Sequence, residues 1–105
     1  MSVRGVGLDL VSIARVKKAM DRPGFLERIL TEREREAITT PESVAGRWAA
    51  KEALFKTGCG VISFLDAEIL PDESGAPRIV RPAGSFLLSI THEKEVAAAV
   101  VIWLD

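Results

Sequence analysis

Two carboxylates and a group of cations are the parts of this chain whose types and spacing could do chemistry. In the run SVAGRWAAKEALFKTGCG, residues 43–60, Glu52 lies four residues after Trp48 and four before Lys56, so in a helix the three share a stripe with Arg47 and Lys51 stacked beside it. A rigid rod would then hold one acid among three cations. The same spacing also suits a solvated helix face, whose Glu–Lys pair is worth only about 0.2–0.5 kcal/mol. Alanines at 45, 49, 50 and 53 argue for closer surroundings, because they allow a neighbour to pack tightly beside the charged stripe. The second acid, Asp9, stands among Leu8, Leu10 and Val11, where a lone carboxylate is costly unless a cation or hydrogen bonds satisfy it. It can also be read as a cap or turn aspartate ahead of the helix that starts at Ser12.

The elements that must position these groups follow from local pattern. Ala45, Ala49, Ala50, Lys51, Glu52, Ala53, Leu54 and Lys56 are strong helix formers. The Thr40-Pro41-Glu42 start and the Gly58 and Gly60 stop bound one long central helix. Val3–Leu10 reads as a buried strand with Asp9 near its C-terminal end. Its Gly5 and Gly7 mark places where another backbone comes close, since GxG alone is a weak phosphate-loop signal. Ser12 caps a short helix over Ile13–Met20 that presents Arg15, Lys17 and Lys18, with Arg22 beyond, a local basic patch fit to steer an acidic partner. Pro23-Gly24 breaks it, Phe25–Leu30 gives another turn or two, and Thr31 with Glu34 forms a capping box on the solvated-looking segment TEREREAI.

Beyond the central helix, Val61–Leu70 fits a strand with one solvent side, residues 71–75 a turn and Ala76–Val80 the return of a hairpin. Phe86–Thr91 and Val96–Leu104 are two further strands joined by His92–Glu95. The last, VAAAVVIWL, is apolar on both faces and belongs in the centre of a sheet or against another subunit. The expected architecture is α+β, a single domain over residues 1–105 in which an antiparallel sheet packs against one long central helix, with short N-terminal helices beside it.

Composition narrows the function classes. At 105 residues and 48% apolar, the chain carries more apolar surface than so small a domain readily buries, which points to a second copy or a partner. A net charge of −1 gives no general attraction for nucleic acid or membrane. The single Cys59 excludes an internal disulfide and, with His92 as the only histidine, a zinc cluster; it reads as a small filler or an exposed thiol. No stretch has the form of a signal peptide or membrane span, so the cytoplasm is the expected compartment.

Four segments together carry a family resemblance: GVGLDL at 5–10, FLERILTEREREAI at 25–38, AGRWAAKEALFKTG at 45–58 and SITHEKEVAAAVV at 89–101. In order and spacing they resemble the holo-acyl-carrier-protein synthases, small bacterial 4′-phosphopantetheinyl transferases. The resemblance implies transfer of the phosphopantetheine arm of coenzyme A to a serine of apo acyl carrier protein, with release of adenosine 3′,5′-bisphosphate. Carried over by motif, Asp9 and Glu52 would ligate Mg²⁺, Glu52 would serve as general base, and Lys56 would hold the phosphate whose charge rises as the bond breaks. Arg47, Lys51 and His92 are the implied partners of the coenzyme A phosphates, with Thr91 a nearby donor; outside the resemblance, His92 reads as a surface or structural histidine. Trp48 reads as packing. Arg15, with Lys18, Met20 and Arg22, matches the surface that docks the acidic carrier helix. The family forms homotrimers with sites between subunits, in keeping with the apolar surplus. Two other readings, a trimeric coenzyme A-binding module without turnover and a carrier-protein adaptor, need no pair of carboxylates.

Overall fold

A proline can open a helix but not continue one, and a threonine before it can cap the free N–H groups. In the computed structural model, which describes residues 2–105, Thr40 Oγ1 accepts the Ser43 N–H at 3.1 Å and the principal helix runs Pro41–Lys56. Gly58, at φ 81°, then turns the chain away in a conformation that suits glycine. In chain order the elements are β1 (Val3–Ser12), α1 (Ile13–Met20), α2 (Phe25–Ile29), α3 (Glu32–Ala37), α4 (Pro41–Lys56), β2 (Glu68–Pro71), β3 (Pro77–Arg81), β4 (Ser85–His92) and β5 (Val96–Leu104). The α+β architecture is the expected one.

Strands β1, β5 and β4 form an antiparallel sheet in that spatial order, so the doubly apolar β5 is its central strand, and β2 pairs with β3 as a separate hairpin. One face of the sheet receives α4. Ala49, Ala50, Ala53 and Leu54 of the helix are buried against Ala99 and Val101 of β5, small residues that let rod and sheet approach closely. The two glycines of β1 set the same distance on the other side. A Cβ on Gly5 would run into the Thr57 carbonyl oxygen, and one on Gly7 into that of Ala53. A second apolar cluster, with Ile13, Val16, Phe25, Ile29, Val44 and Ala45, fastens α1 and α2 to the N-terminal half of α4.

The opposite sheet face is bare. Rows Val6–Ile102–Leu87, Leu8–Val100–Ser89 and Leu10–Ala98–Thr91 cross it, and Leu8 and Leu10 are each 66% exposed. Among the described residues no helix is long and apolar enough to cross a membrane.

Three local expectations change. Strand β1 continues through Leu10 to Ser12, which leaves Asp9 mid-strand, paired with Ala99, and excludes a capping role for it; Ser12 caps α1 instead, accepting the Arg15 N–H. The segment expected as one strand over Val61–Leu70 contains a single 3₁₀ turn at Phe64–Asp66, and β2 begins only at Glu68. The Asp66 and Ala67 N–H groups fold back to donate to the Ser63 and Phe64 carbonyls, closing the turn, while the Phe64 ring is held between Trp48 and Phe55 and its carbonyl also accepts from Lys51. The TEREREAI segment is not solvated throughout: Glu34 is fully buried.

Candidate active site

A helix rising beside a strand brings together groups that lie 43 residues apart in sequence, Asp9 on β1 and Glu52 on α4. Both line one open cleft of about 350 Å³, together with Ser12, Arg15, Arg22 and the apolar Val16, Ala19, Phe25 and Trp48. The acids are close enough to feel one another. Burial, and then the Asp9 charge, push the Glu52 carboxyl above its ordinary value, while Lys56 pulls it back. Lys56 Nζ donates to the Leu8 carbonyl at 3.0 Å and pairs with Asp9 Oδ1 at 3.1 Å. Its side chain stays 53% exposed; Lys56 does not itself line the cleft but reaches it through Asp9, which does.

Among the described residues no cluster of three or more His, Cys, Asp or Glu is assembled. Two carboxylates alone fit a hard divalent cation that completes its shell with water and phosphate oxygens, and do not fit zinc or a tight calcium cage. One raised carboxyl beside a second acid is what a cation between them would relieve.

Neither Arg47 nor Lys51 lines this cleft, and for Lys51 its contacts correct the expectation that it holds a coenzyme A phosphate. A step of one residue turns a helix by about 100°, and Lys51 therefore points away from Glu52's side of the rod. Its ammonium is wholly buried and donates to Glu34 Oε1 at 2.7 Å, the Ile29 carbonyl at 2.8 Å and the Phe64 carbonyl at 2.8 Å. All three N–H bonds are spent, so none remains for a phosphate. Burial lowers the Lys51 pKa and Glu34 opposes that shift, but three acceptors round one nitrogen require the charged form. Arg47 is buried one turn earlier, with Nε donating to the Ile69 carbonyl at 3.1 Å, and burial likewise lowers its pKa.

Thr91 and His92 lie at the end of β4, in the rows of Leu10 and Val11, and β5 stands between them and β1. That puts them two strand spacings, roughly 10 Å, across the sheet from Asp9's strand. Both are exposed, and neither lines the cleft of its own chain. Of the expected docking residues, Arg15 and Arg22 stand on the cleft's rim and Lys18 continues the basic surface with them. Met20 is half-buried against the α1–α2 core. Two groups escaped the sequence reading. Glu34 was fully explained by its capping box, which it does form, so its second partner Lys51 left no local signal. Trp48 was expected to pack, and does, at 5.9 Å from Phe25 and 4.7 Å from Phe64 between ring centroids, yet it is also cleft wall.

Comparison with known proteins bears on this cleft. Residues 5–101 match the model of the 4′-phosphopantetheinyl transferase superfamily. A holo-[acyl-carrier-protein] synthase of Listeria innocua is 44% identical over 95% of this chain and 97% of its own length, and one of Bacillus mycoides is 44% identical over 93% and 92%. Among solved structures, the Bacillus anthracis synthase in complex with CoA (3′,5′-ADP) superposes with a TM-score of 0.85 at 39% identity, covering 96% of each chain. The Helicobacter pylori synthase in complex with coenzyme A superposes at 0.86 and 35% identity, covering 94% of this chain and 99% of its own.

Proposed function

This chain belongs to the 4′-phosphopantetheinyl transferase superfamily, among the holo-acyl-carrier-protein synthases, and on that footing we propose how it moves the 4′-phosphopantetheine arm of coenzyme A onto a serine of apo acyl carrier protein, releasing adenosine 3′,5′-bisphosphate. The observation that carries the assignment of residues is one cleft holding Asp9 and Glu52 with two arginines of the basic rim, Arg15 and Arg22.

Asp9 and Glu52 would hold Mg²⁺, whose charge would offset that of the pyrophosphate oxygens as the bond to the leaving group breaks. Glu52, which faces the cleft beside Asp9, takes the serine proton. The serine oxygen bonds to the phosphorus attached to pantetheine, and the bond from that phosphorus to the bridging oxygen of adenosine 3′,5′-bisphosphate breaks. Lys56, anchored on the Leu8 carbonyl, stabilises the phosphate oxygens as their charge rises. The basic surface of Arg15, Lys18 and Arg22 docks the acidic carrier, with Met20 a minor contributor from its half-buried place.

The working form is a homotrimer, supported by the bare face built from Val6, Leu8, Leu10 and Leu87, an apolar area that water exposes at a cost. Thr91 and His92 then serve a neighbouring subunit's coenzyme A rather than their own, which agrees with their distance from the cleft. The whole chain acts as one domain, in the cytoplasm. The test is mass spectrometry of an apo carrier protein incubated with coenzyme A, Mg²⁺ and this chain. A gain of one phosphopantetheine that is abolished by chelator, and lost in Glu52→Gln, is expected. Transfer that survives both treatments would remove the metal and base assignments.

A further inference from the structure

We propose that Lys51 is a positioning residue for the carrier-binding wall of the cleft, working through the aromatic stack on Trp48 and never touching coenzyme A. The inference rests on the reading that the carrier's serine enters the cleft beside Arg15. Lys51 Nζ is the point where three separate segments are tied to α4. It takes the last carbonyl of α2 at Ile29, the Glu34 carboxylate of α3, and the Phe64 carbonyl of the 3₁₀ turn. Two of those segments carry the rings that clamp Trp48: Phe25 on α2, stacked at an interplanar angle of 17°, and Phe64, tilted at 35°. Trp48 and Phe25 are cleft wall, and Phe64 is behind them. Glu34 in turn receives the Ile69 N–H at 2.8 Å and the Thr31 N–H at 2.8 Å, so the anchor is itself fixed to β2 and to the start of α3.

One ammonium therefore sets how far α2 and the 3₁₀ turn stand from α4, and with it the position of the apolar wall one turn from Glu52. The metal-ligand pair is set by different contacts, the close approach of Gly5 and Gly7 to α4 and the Lys56 anchor on β1. A change at Lys51 should consequently reach the carrier subsite and spare the coenzyme subsite.

The experiment measures initial rates of phosphopantetheine transfer with each substrate varied in turn, for the wild-type chain, Lys51→Met, Lys51→Arg and Phe64→Leu, alongside near-UV circular dichroism in a Trp103→Phe background, where the tryptophan band reports Trp48. Expected in Lys51→Met is a rise of about tenfold or more in KM for the apo carrier, with KM for coenzyme A within about twofold and an altered tryptophan band. Lys51→Arg should recover part of the carrier KM. Phe64→Leu, which leaves the buried charges intact and does not line the cleft, should reproduce the carrier effect. A rise confined to the KM of coenzyme A overturns the inference in favour of a phosphate contact. Equal changes in both KM values, or none, overturn it as well. If Lys51→Met does not fold, Phe64→Leu decides by itself, an unchanged carrier KM counting against the proposal. Should the wild-type chain label no carrier, it is the functional reading that fails, and the near-UV spectrum of Phe64→Leu still reports whether the stack depends on the 3₁₀ turn.

Discussion

Two lysines five residues apart on α4 each hold a carboxylate, and the contrast between them separates the part of the helix that builds the molecule from the part that faces its substrates. Lys51 and Glu34 are both fully buried at 2.7 Å, and the ammonium has no donor to spare. Lys56 and Asp9 stand 3.1 Å apart with side chains 53% and 16% exposed, one carbonyl anchoring the lysine and a second acid, Glu52, left without a direct cation of its own. In sequence both are lysines within about one turn of Glu52 on the same helix. In space, one is a closed circuit and the other has capacity left over, and only the open one can bind a phosphate or exchange a partner for a metal ion.

The comparison breaks first if the open site proves dispensable. Glu52→Gln removes the base and a metal ligand together, and a fall of about 10³-fold or more in kcat/KM is expected while the chain stays folded. Single-turnover labelling of apo carrier checks it, and retained turnover would mean that the cleft works without its second acid.

Stability should divide the two lysines in the opposite sense. Removing Lys51 strands a buried carboxylate, so Lys51→Met is expected to cost about 3–5 kcal/mol, whereas the exposed Lys56→Met should cost less than about 1 kcal/mol. Urea titration of both variants at one protein concentration measures the difference. Equal costs would show that burial does not distinguish the pairs. For activity the order reverses between residues of the open pair and its surroundings: Lys56→Met should lower kcat by roughly 10–100-fold through lost stabilisation of phosphate charge, read in steady-state assays at saturating coenzyme A.

The smallest expected effect concerns pH. The Glu52 carboxyl lies above its ordinary value when folded, so the native state binds the proton more tightly than the unfolded chain and folding weakens as pH rises through the folded value. Glu52→Gln should therefore melt higher than the wild type at neutral pH without metal, by on the order of 1–3 °C. The gap should close as pH falls below the unfolded glutamate value, where both states of the wild type are protonated. Added Mg²⁺ should raise the wild-type melt and leave the variant's unmoved, as scanning calorimetry would read. A gap that persists into acid would assign the gain to something other than the Glu52 charge.

What the sequence determined by itself are the features set by local physics and by pattern length. Pro41 and the alanines fixed the central helix, Ser12 and the Thr31–Glu34 box fixed two helix starts, and the doubly apolar VAAAVVIWL run fixed the central strand, because propensity, capping and burial of both faces are each written in neighbouring residues. Gly5 and Gly7 likewise announced a close approach, since little else explains two glycines in a strand. Tertiary structure alone decided which cations serve the cleft. Residues 47, 51 and 56 carry the same charge on one helix, and their roles were assigned by what the rest of the chain brings to each side: carbonyls and Glu34 to Lys51, the Ile69 carbonyl to Arg47, and β1 to Lys56. A buried ion pair depends on distant segments closing around it, and helical spacing shows which residues share a face but not which face the fold will seal.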